Sequence, residues 1–290
     1  ISLPLNEDSG SVDLTDYSPR PKNVSVGSSW GSGPTWVSSG IATGNFYGGA
    51  AYFNGSSYLN VDGPEANLDD FYMGEGEWTI EAWINWNASW SNTWEVISCL
   101  GGGYYSDGGM WFAILRNEAK GDSTTFYISN ASYYSAIATD VDIQADDDVW
   151  QHTALTRASD GKIRLFINGV LKGTLSNAFS AGAFGGKAAG YIGLEHAGFH
   201  NQGYYYPNFY LQDFRVYKGV AKYTIDFTPS STSILGSSRN LTTFNTNFPA
   251  SLALPLWNGT GRTNEVDIKD ISEKKNVVQF GSTVLTWDPN

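Results

Sequence analysis

Cysteine is almost absent from this chain: Cys99 is its one thiol in 290 residues, so no intramolecular disulfide can form. Stability must come from the packed core, with ions or neighbouring subunits as the remaining sources. Basic charge is also scarce. Seventeen Lys and Arg stand against 29 Asp and Glu, and the net charge of -12 repels a phosphate backbone, which excludes nucleic acid as a partner. No run of about 18 apolar residues occurs, so membrane insertion by a helix is excluded as well. The Ala/Leu/Glu/Lys periodicity of amphipathic helices is sparse, which leaves an all-β expectation. The start has neither Met nor the charged-then-apolar layout of a signal peptide, so Ile1 reads as a processing point or a cut from something longer.

What the chain has in quantity is glycine and aromatic side chains. Aromatics make up 15% of it, enough to fill a large core and still furnish loops. "WTIEAWINW" (Trp78 to Trp86) alternates strictly and predicts a half-buried strand, with Trp78, Ile80, Ala82, Ile84 and Trp86 on one face and Thr79, Glu81, Trp83 and Asn85 on the other. "KIRLFINGVLKG" (Lys162 to Gly173) predicts a β-hairpin, because Asn168-Gly169 tolerates the positive φ angles of a type I′ turn. "WQHTALTRASDGK" (Trp150 to Lys162) reads as a strand closed by a turn at Asp160-Gly161. "FYLQDFRVY" (Phe209 to Tyr217) reads as a long strand and "YIGLEHA" (Tyr191 to Ala197) as a shorter one. Antiparallel strands at hairpin spacing, with no crossover helices, predict an antiparallel β-sandwich of jelly-roll type.

"AYFNGSSYLNV" (Ala51 to Val61), the strands just quoted and "LQDFRVYKGVAKYTIDFTP" (Leu211 to Pro229) resemble, in sequence and succession, the concanavalin A-like, laminin-G-like jelly-roll family. The resemblance covers residues 1 to 231. The closing "YKGVAKYTIDFTP" is similar to the subgroup that recurs in phage and marine-virus structural proteins. That resemblance implies a virion exterior or another extracellular surface, with copies of itself or other structural proteins of the particle as partners.

The chain also begins twice. "ISLPL" (Ile1 to Leu5) returns as "LALPL" (Leu252 to Leu256), "DLTDYS" (Asp13 to Ser18) as "DIKDIS" (Asp267 to Ser272), and "NVSVGSS" (Asn23 to Ser29) as "NVVQFGST" (Asn276 to Thr283). Residues 252–290 therefore read as the opening strands of a second copy, joined through a Ser/Thr/Asn-rich connector at 232–251. So short a segment cannot bury its own apolar side chains, and Leu254, Leu256, Val277, Phe280 and Leu285 require a partner surface. The first domain, a continuation of the second, or a neighbouring subunit accepting a strand would each supply one.

Catalytic patterns are incomplete. "EVDIKD" (Glu265 to Asp270) falls short of the Glu-x-Asp-x-x-Glu that some glycoside hydrolases of this sandwich carry, since its last carboxylate is Asp. "GSSWG" (Gly27 to Gly31) fits Gly-x-Ser-x-Gly only in letters, with loop and strand residues after it where the nucleophile elbow needs a helix. "HAGFH" (His196 to His200) lacks the catalytic Glu of the zinc pattern. No enzyme is expected. Calcium is the one cofactor to consider, as the resemblance implies a rim ion, with Asp13, Asp16 and Asp213 as candidate ligands and Asp146 to Asp148 as another acidic group. Sugar binding needs aromatic platforms beside polar side chains, because a pyranose offers an apolar face ringed by hydroxyls. The loops supply Trp90, Trp94, Tyr104, Tyr105, Tyr133, Tyr134, Tyr204, Tyr205 and Tyr206, which serve either a host or environmental glycan or a protein interface. The expectation is a non-catalytic binding and structural module, a phage or virus tail or decoration protein. A bacterial surface adhesin or filament subunit of tandem repeats is the alternative, and a polysaccharide-degrading enzyme stands behind both.

Overall fold

Side-chain alternation and tight turns account for every long element of the fold. The computed structural model describes residues 1–5, 7–8, 11–16, 18, 21–28, 31–39, 48–62, 71–86, 94–101, 110–117, 123–130, 134–141, 149–176, 183–185, 190–194 and 205–229, together with 277–280 and 283–286. The opening strands are short: β1 (Ser2–Leu3), β2 (Glu7–Asp8), β3 (Ser11–Val12), β4 (Asn23–Val26) and β5 (Thr35–Val37). They are followed by β6 (Ala50–Asn54), β7 (Leu59–Asp62), β8 (Trp78–Trp86), β9 (Trp94–Leu100), β10 (Met110–Asn117), β11 (Ser123–Ser129) and β12 (Tyr134–Val141). The closing strands of this part are β13 (Trp150–Arg157), β14 (Ile163–Ile167), β15 (Val170–Leu175), β16 (Gly190–Ile192) and β17 (Asn208–Lys218). Two more, β18 (Val277–Phe280) and β19 (Thr283–Thr286), lie near the C-terminus.

The chain divides into two compact units, Ile1–Pro229 and Ser230–Asn290. In the first, an antiparallel sheet runs in the order β15-β14-β13-β8-β17-β6-β5, with β1 added against β17. A second antiparallel sheet runs β12-β11-β10-β9-β16-β7-β4. The core lies between them, with Trp78, Ile80, Ile84 and Trp86 of β8, Leu155 of β13 and Phe209 and Leu211 of β17 meeting Phe112, Ile114, Phe126 and Ile128 of the opposite sheet. The molecule is an all-β antiparallel sandwich, in agreement with the jelly-roll expectation. In the second unit, β18 and β19 pair with each other as an antiparallel hairpin.

The Asn168-Gly169 turn forms as the sequence predicts, with φ of 51° and 79° at its two residues. Two expectations need correction. β8 is not half-buried, because all of its residues except Trp83 are shielded from solvent. The tail after β17 is the reason, since it crosses the outer face of the sheet and covers the polar side chains there. Of the expected strand at Tyr191 to Ala197, the described residues 191–194 form strand only at Tyr191 and Ile192, within Gly190–Ile192, and Gly193 turns the chain away with a φ of 76° beside the Phe53 ring; Glu195 to Ala197 lie outside the described residues. β17 carries a bulge between Gln212 and Arg215, where Asp213 adopts a φ of 49° and its N–H donates to the Pro4 carbonyl at 3.1 Å.

Candidate functional site

The outer face of the β12-β11-β10-β9-β16-β7-β4 sheet is aromatic. Val96, Cys99, Trp111 and Ala113 form a small buried cluster there, separate from the main core, with Trp94, Tyr127, Tyr191 and Tyr205 packed against it. A bulge between Phe112 and Ala113 sets the register in β9 and β10, so that Trp94, Val96, Cys99 and Trp111 all face outward while Ile97, Leu100 and Ile114 face the core. The rings form a continuous stripe. Trp94 lies 5.0 Å from Trp111, 4.7 Å from Tyr127 and 6.4 Å from Tyr134, and Tyr127 lies 5.8 Å from Tyr134. Further along the same sheet, Tyr58 lies 6.3 Å from both Tyr191 and Tyr206. Trp111 is sealed beneath the stripe, whereas Tyr134 is 43% exposed at its end. Burial, with the neighbouring Tyr134, pushes the Tyr127 phenol up, so it remains a neutral hydrogen-bonding hydroxyl at physiological pH.

The outer face of the other sheet is closed by the tail. Glu81 of β8 is 3% exposed and sits at the centre of a charged cluster. Its Oε1 accepts from Lys222 Nζ at 2.6 Å and Tyr217 Oη at 3.1 Å, and Arg215 Nη1 lies 3.6 Å away. Its Oε2 accepts from Tyr223 Oη at 2.6 Å, with His152 Nε2 at 3.5 Å. Burial by itself raises the Glu81 carboxyl, but the His152 hydrogen bond and the charges of Lys222 and Arg215 outweigh it and hold the group well below the usual carboxylate range. The same burial lowers Lys222, against the pull of Glu81. The tail is pinned further by Lys222 N–H to Thr79 Oγ1 at 3.0 Å, by Leu171 N–H to Asp226 Oδ1 at 2.8 Å, and by Tyr223 stacked on Phe227 at 3.5 Å. Glu81 is therefore a structural anchor. Sequence reasoning placed it only on the second face of its strand. The signal that could have found its role is the basic and aromatic pair Lys222-Tyr223, spaced after β17 so that the tail folds back.

Of the sequence-predicted site residues, the structure brings Trp94 and Tyr134 together in the stripe, seats Tyr205 against the same cluster, and places Tyr206 on Tyr58. Trp90, Tyr104, Tyr105, Tyr133 and Tyr204 lie outside the described residues, as do His196, His200, Asp146 to Asp148 and Glu265 to Asp270. The stripe also enlists Trp111, Tyr127, Tyr191 and Tyr58, strand residues that a search confined to loops passes over.

The three acidic candidates for a calcium ion are engaged otherwise. Asp16 accepts from the N–H groups of Ser2, Ser18 and Lys22 at 2.8, 2.9 and 2.7 Å. Asp13 accepts from the Thr15 N–H at 2.9 Å, and Asp213 pairs with Arg215 at 3.1 Å. Among the described residues no group of three or more His, Cys, Asp or Glu side chains is placed to hold a metal ion. Both oxygens of Asp16 point at backbone N–H groups, and one oxygen of Asp213 points at a guanidinium. Of the assembly segment, Val277, Phe280 and Leu285 fall on β18 and β19, while Leu254 and Leu256 lie outside the described residues.

Residues 53–222, which contain both sheets' central strands, match the model of the laminin G family of the concanavalin A-like lectin/glucanases superfamily. The chain belongs to that family. Among solved structures, this laminin-G-type chain is similar to the receptor binding domain of botulinum neurotoxin D, with a TM-score of 0.51 and 13% identity over 79% of this chain and 49% of that one. It is also similar to the botulinum neurotoxin serotype D/C VPI 5993 binding domain, with a TM-score of 0.50 and 17% identity over 75% and 48% of the two chains. Likeness at this identity shows the fold, and the chain spans about half the length of these toxin domains. No curated protein matches the chain.

Proposed function

We propose that the laminin-G-type sandwich is a non-catalytic glycan-binding module, and that the aromatic stripe on the outer face of the β9-containing sheet is its binding surface. The observation that carries this reading is the convergence of Trp94, Tyr127 and Tyr134 around the buried Trp111. Aromatic rings in series offer the apolar face that a pyranose stacks on, and the phenolic hydroxyls supply the hydrogen bonds that orient it. A lectin-like fold and its likeness to neurotoxin binding domains support the reading. With an acidic chain of net charge -12, neutral glycans are preferred over sulfated or sialylated ones. Both oxygens of the buried Glu81 are engaged by Lys222 and Tyr223 beneath the tail.

The place of this activity is read as the exterior of a phage or virus particle, as a tail or decoration protein, with a bacterial surface adhesin of tandem repeats as the alternative. The similarity of the closing "YKGVAKYTIDFTP" to phage and marine-virus structural proteins supports the first. The repeat at 252–290 supports tandem organisation, because the recurring letters are those with structural work in the first unit. Leu3 and Leu5 are buried in the core, Pro4 offers its carbonyl to the β17 bulge, and Asp16 gathers three backbone N–H groups. Calorimetry of the intact chain with neutral oligosaccharides chosen from a glycan array tests the binding reading. Tyr134→Ala should weaken the array hit about tenfold, the loss of one aromatic contact, while leaving the fold intact. Unchanged binding in that variant would overturn the stripe as the site.

A further inference from the structure

The tail does not cover all of the outer face of its sheet. Beyond Trp83, which packs edge-on against His152 at 5.3 Å, a straight row of side chains crosses five strands. Register pairs Trp150 of β13 with Asn85 of β8, Asn85 with Tyr210 of β17, Tyr210 with Tyr52 of β6, and Tyr52 with Thr35 of β5. Three strand spacings separate Trp150 from Tyr52, on the order of 14 Å, the reach of a short oligosaccharide. Tyr52 and Tyr210 stack at 4.7 Å with their planes 25° apart, and Tyr52 Oη donates to Asn208 Oδ1 at 3.0 Å. Trp150, Tyr210 and Tyr52 are half-buried, and Thr35 is exposed.

Asn85 breaks the rule that buried polar groups are satisfied. It is 0% exposed, and among the described residues neither its amide nitrogen nor its carbonyl oxygen has a hydrogen-bond partner. Its place in the alternation of β8 puts it on the outer face, because Ile84 and Trp86 on either side both belong to the core. An apolar residue of the same size would fold better there, so the amide answers to something other than stability.

We propose that this row is a second ligand site, independent of the aromatic stripe, and that it takes an N-acetylated neutral saccharide. The sugar ring stacks on the Tyr52–Tyr210 pair. Its acetamido group carries one donor and one acceptor, the complement of the Asn85 amide, and reaches it when Trp150 swings aside. The ligand supplies the two hydrogen bonds that the buried amide lacks among the described residues. The two sites lie on opposite outer faces of one sandwich, so a single chain would bridge two glycans and gain avidity on a dense surface.

Calorimetry of the full chain with the hexamer of N-acetylglucosamine, and with the glucose hexamer that lacks acetamido groups, tests the proposal. The N-acetylated hexamer should bind, and the glucose hexamer should bind this row at least about tenfold more weakly. Asn85→Leu should lower affinity for the N-acetylated hexamer about tenfold or more while holding or raising the melting temperature, a combination that a structural amide would not give. Tyr52→Ala, next to the exposed Thr35 in the row, should give the same loss if Asn85→Leu fails to fold. Tyr134→Ala, on the opposite face, should leave this binding in place. The second site is overturned if Asn85→Leu and Tyr52→Ala both bind as the native chain does, or if the native chain ignores the N-acetylated hexamer. Binding abolished by Tyr134→Ala alone would overturn it too and leave the stripe standing. Loss in the row variants with no effect of Tyr134→Ala on any glycan would instead sink the stripe and keep the row.

Discussion

The two outer faces of the sandwich are built from the same kinds of residue and come to opposite ends. On one, Trp94, Trp111, Tyr127 and Tyr134 lie ring against ring along the sheet, and the stripe ends at the exposed Tyr134. On the other, His152, Phe166, Tyr217 and Glu81 are sealed by the tail's own Lys222, Tyr223 and Phe227. Aromatic and polar side chains on a sheet face are thus no site by themselves. What decides is whether the chain has a segment to return over them. The covered face trades access for an ion cluster in low dielectric, where a fully partnered carboxylate is tolerated and a half-partnered one is costly.

The largest effect should come from breaking the covered face. Glu81→Ala leaves the largely shielded Lys222 without its carboxylate and Arg215 with Asp213 as its remaining counter-charge, and is expected to cost roughly 3 kcal/mol, read as a shift in the urea midpoint. Gly169→Ala should cost about 1–3 kcal/mol, since Gly169 has a φ of 79° and a Cβ there would meet the Phe227 carbonyl oxygen at 1.9 Å. That substitution lifts the tail without touching a charge. Amide exchange confined to residues 220–229 would show it, and exchange spread over the whole unit would argue against a separable tail.

Acid sharpens the comparison next. Glu81 is held below its ordinary value in the folded state, so its stabilisation is complete above the unfolded carboxylate pKa of about 4.3 and is lost as pH falls through the folded value. Melting temperature should therefore drop steadily below about pH 4, and Glu81→Gln should flatten that part of the curve. The open face should respond least in stability: Tyr134→Ala is expected to cost under about 1 kcal/mol while weakening glycan binding. The smallest effect belongs to Asp160, whose hydrogen bond from Arg164 lowers its carboxyl to about 2, yet which sits 42% exposed in solvent. Asp160→Asn should change stability by less than about 0.5 kcal/mol in a thermal melt, because water and salt screen such a pair.

Much of this could be read before any coordinates. Strict alternation named the core face of β8, Asn168-Gly169 announced its hairpin, and two of the aromatics that stand out in the sequence, Trp94 and Tyr134, meet in the stripe. Other features stayed hidden because they depend on residues distant in sequence. The outward turn of Cys99, three positions after the outward Val96, follows from a bulge at Ile97 opposite β10, and a bulge leaves no mark in a pattern of apolar letters. The anchoring role of Glu81 required a tail some 140 positions later to fold back across it, as in the Tyr223 hydrogen bond spanning 142 positions.

The sequence by itself determined the period of each strand, the turns that glycine and asparagine allow, and the acidic balance of the chain. These are local or summed properties, set by each residue's own stereochemistry or charge. Tertiary structure alone decided which aromatic rings touch, which carboxylate is neutralised by cations from β17 and the tail, and which buried amide has no hydrogen-bond partner among the described residues. Those outcomes rest on register and crossover, and pairing distant strands is a property of the folded chain as a whole.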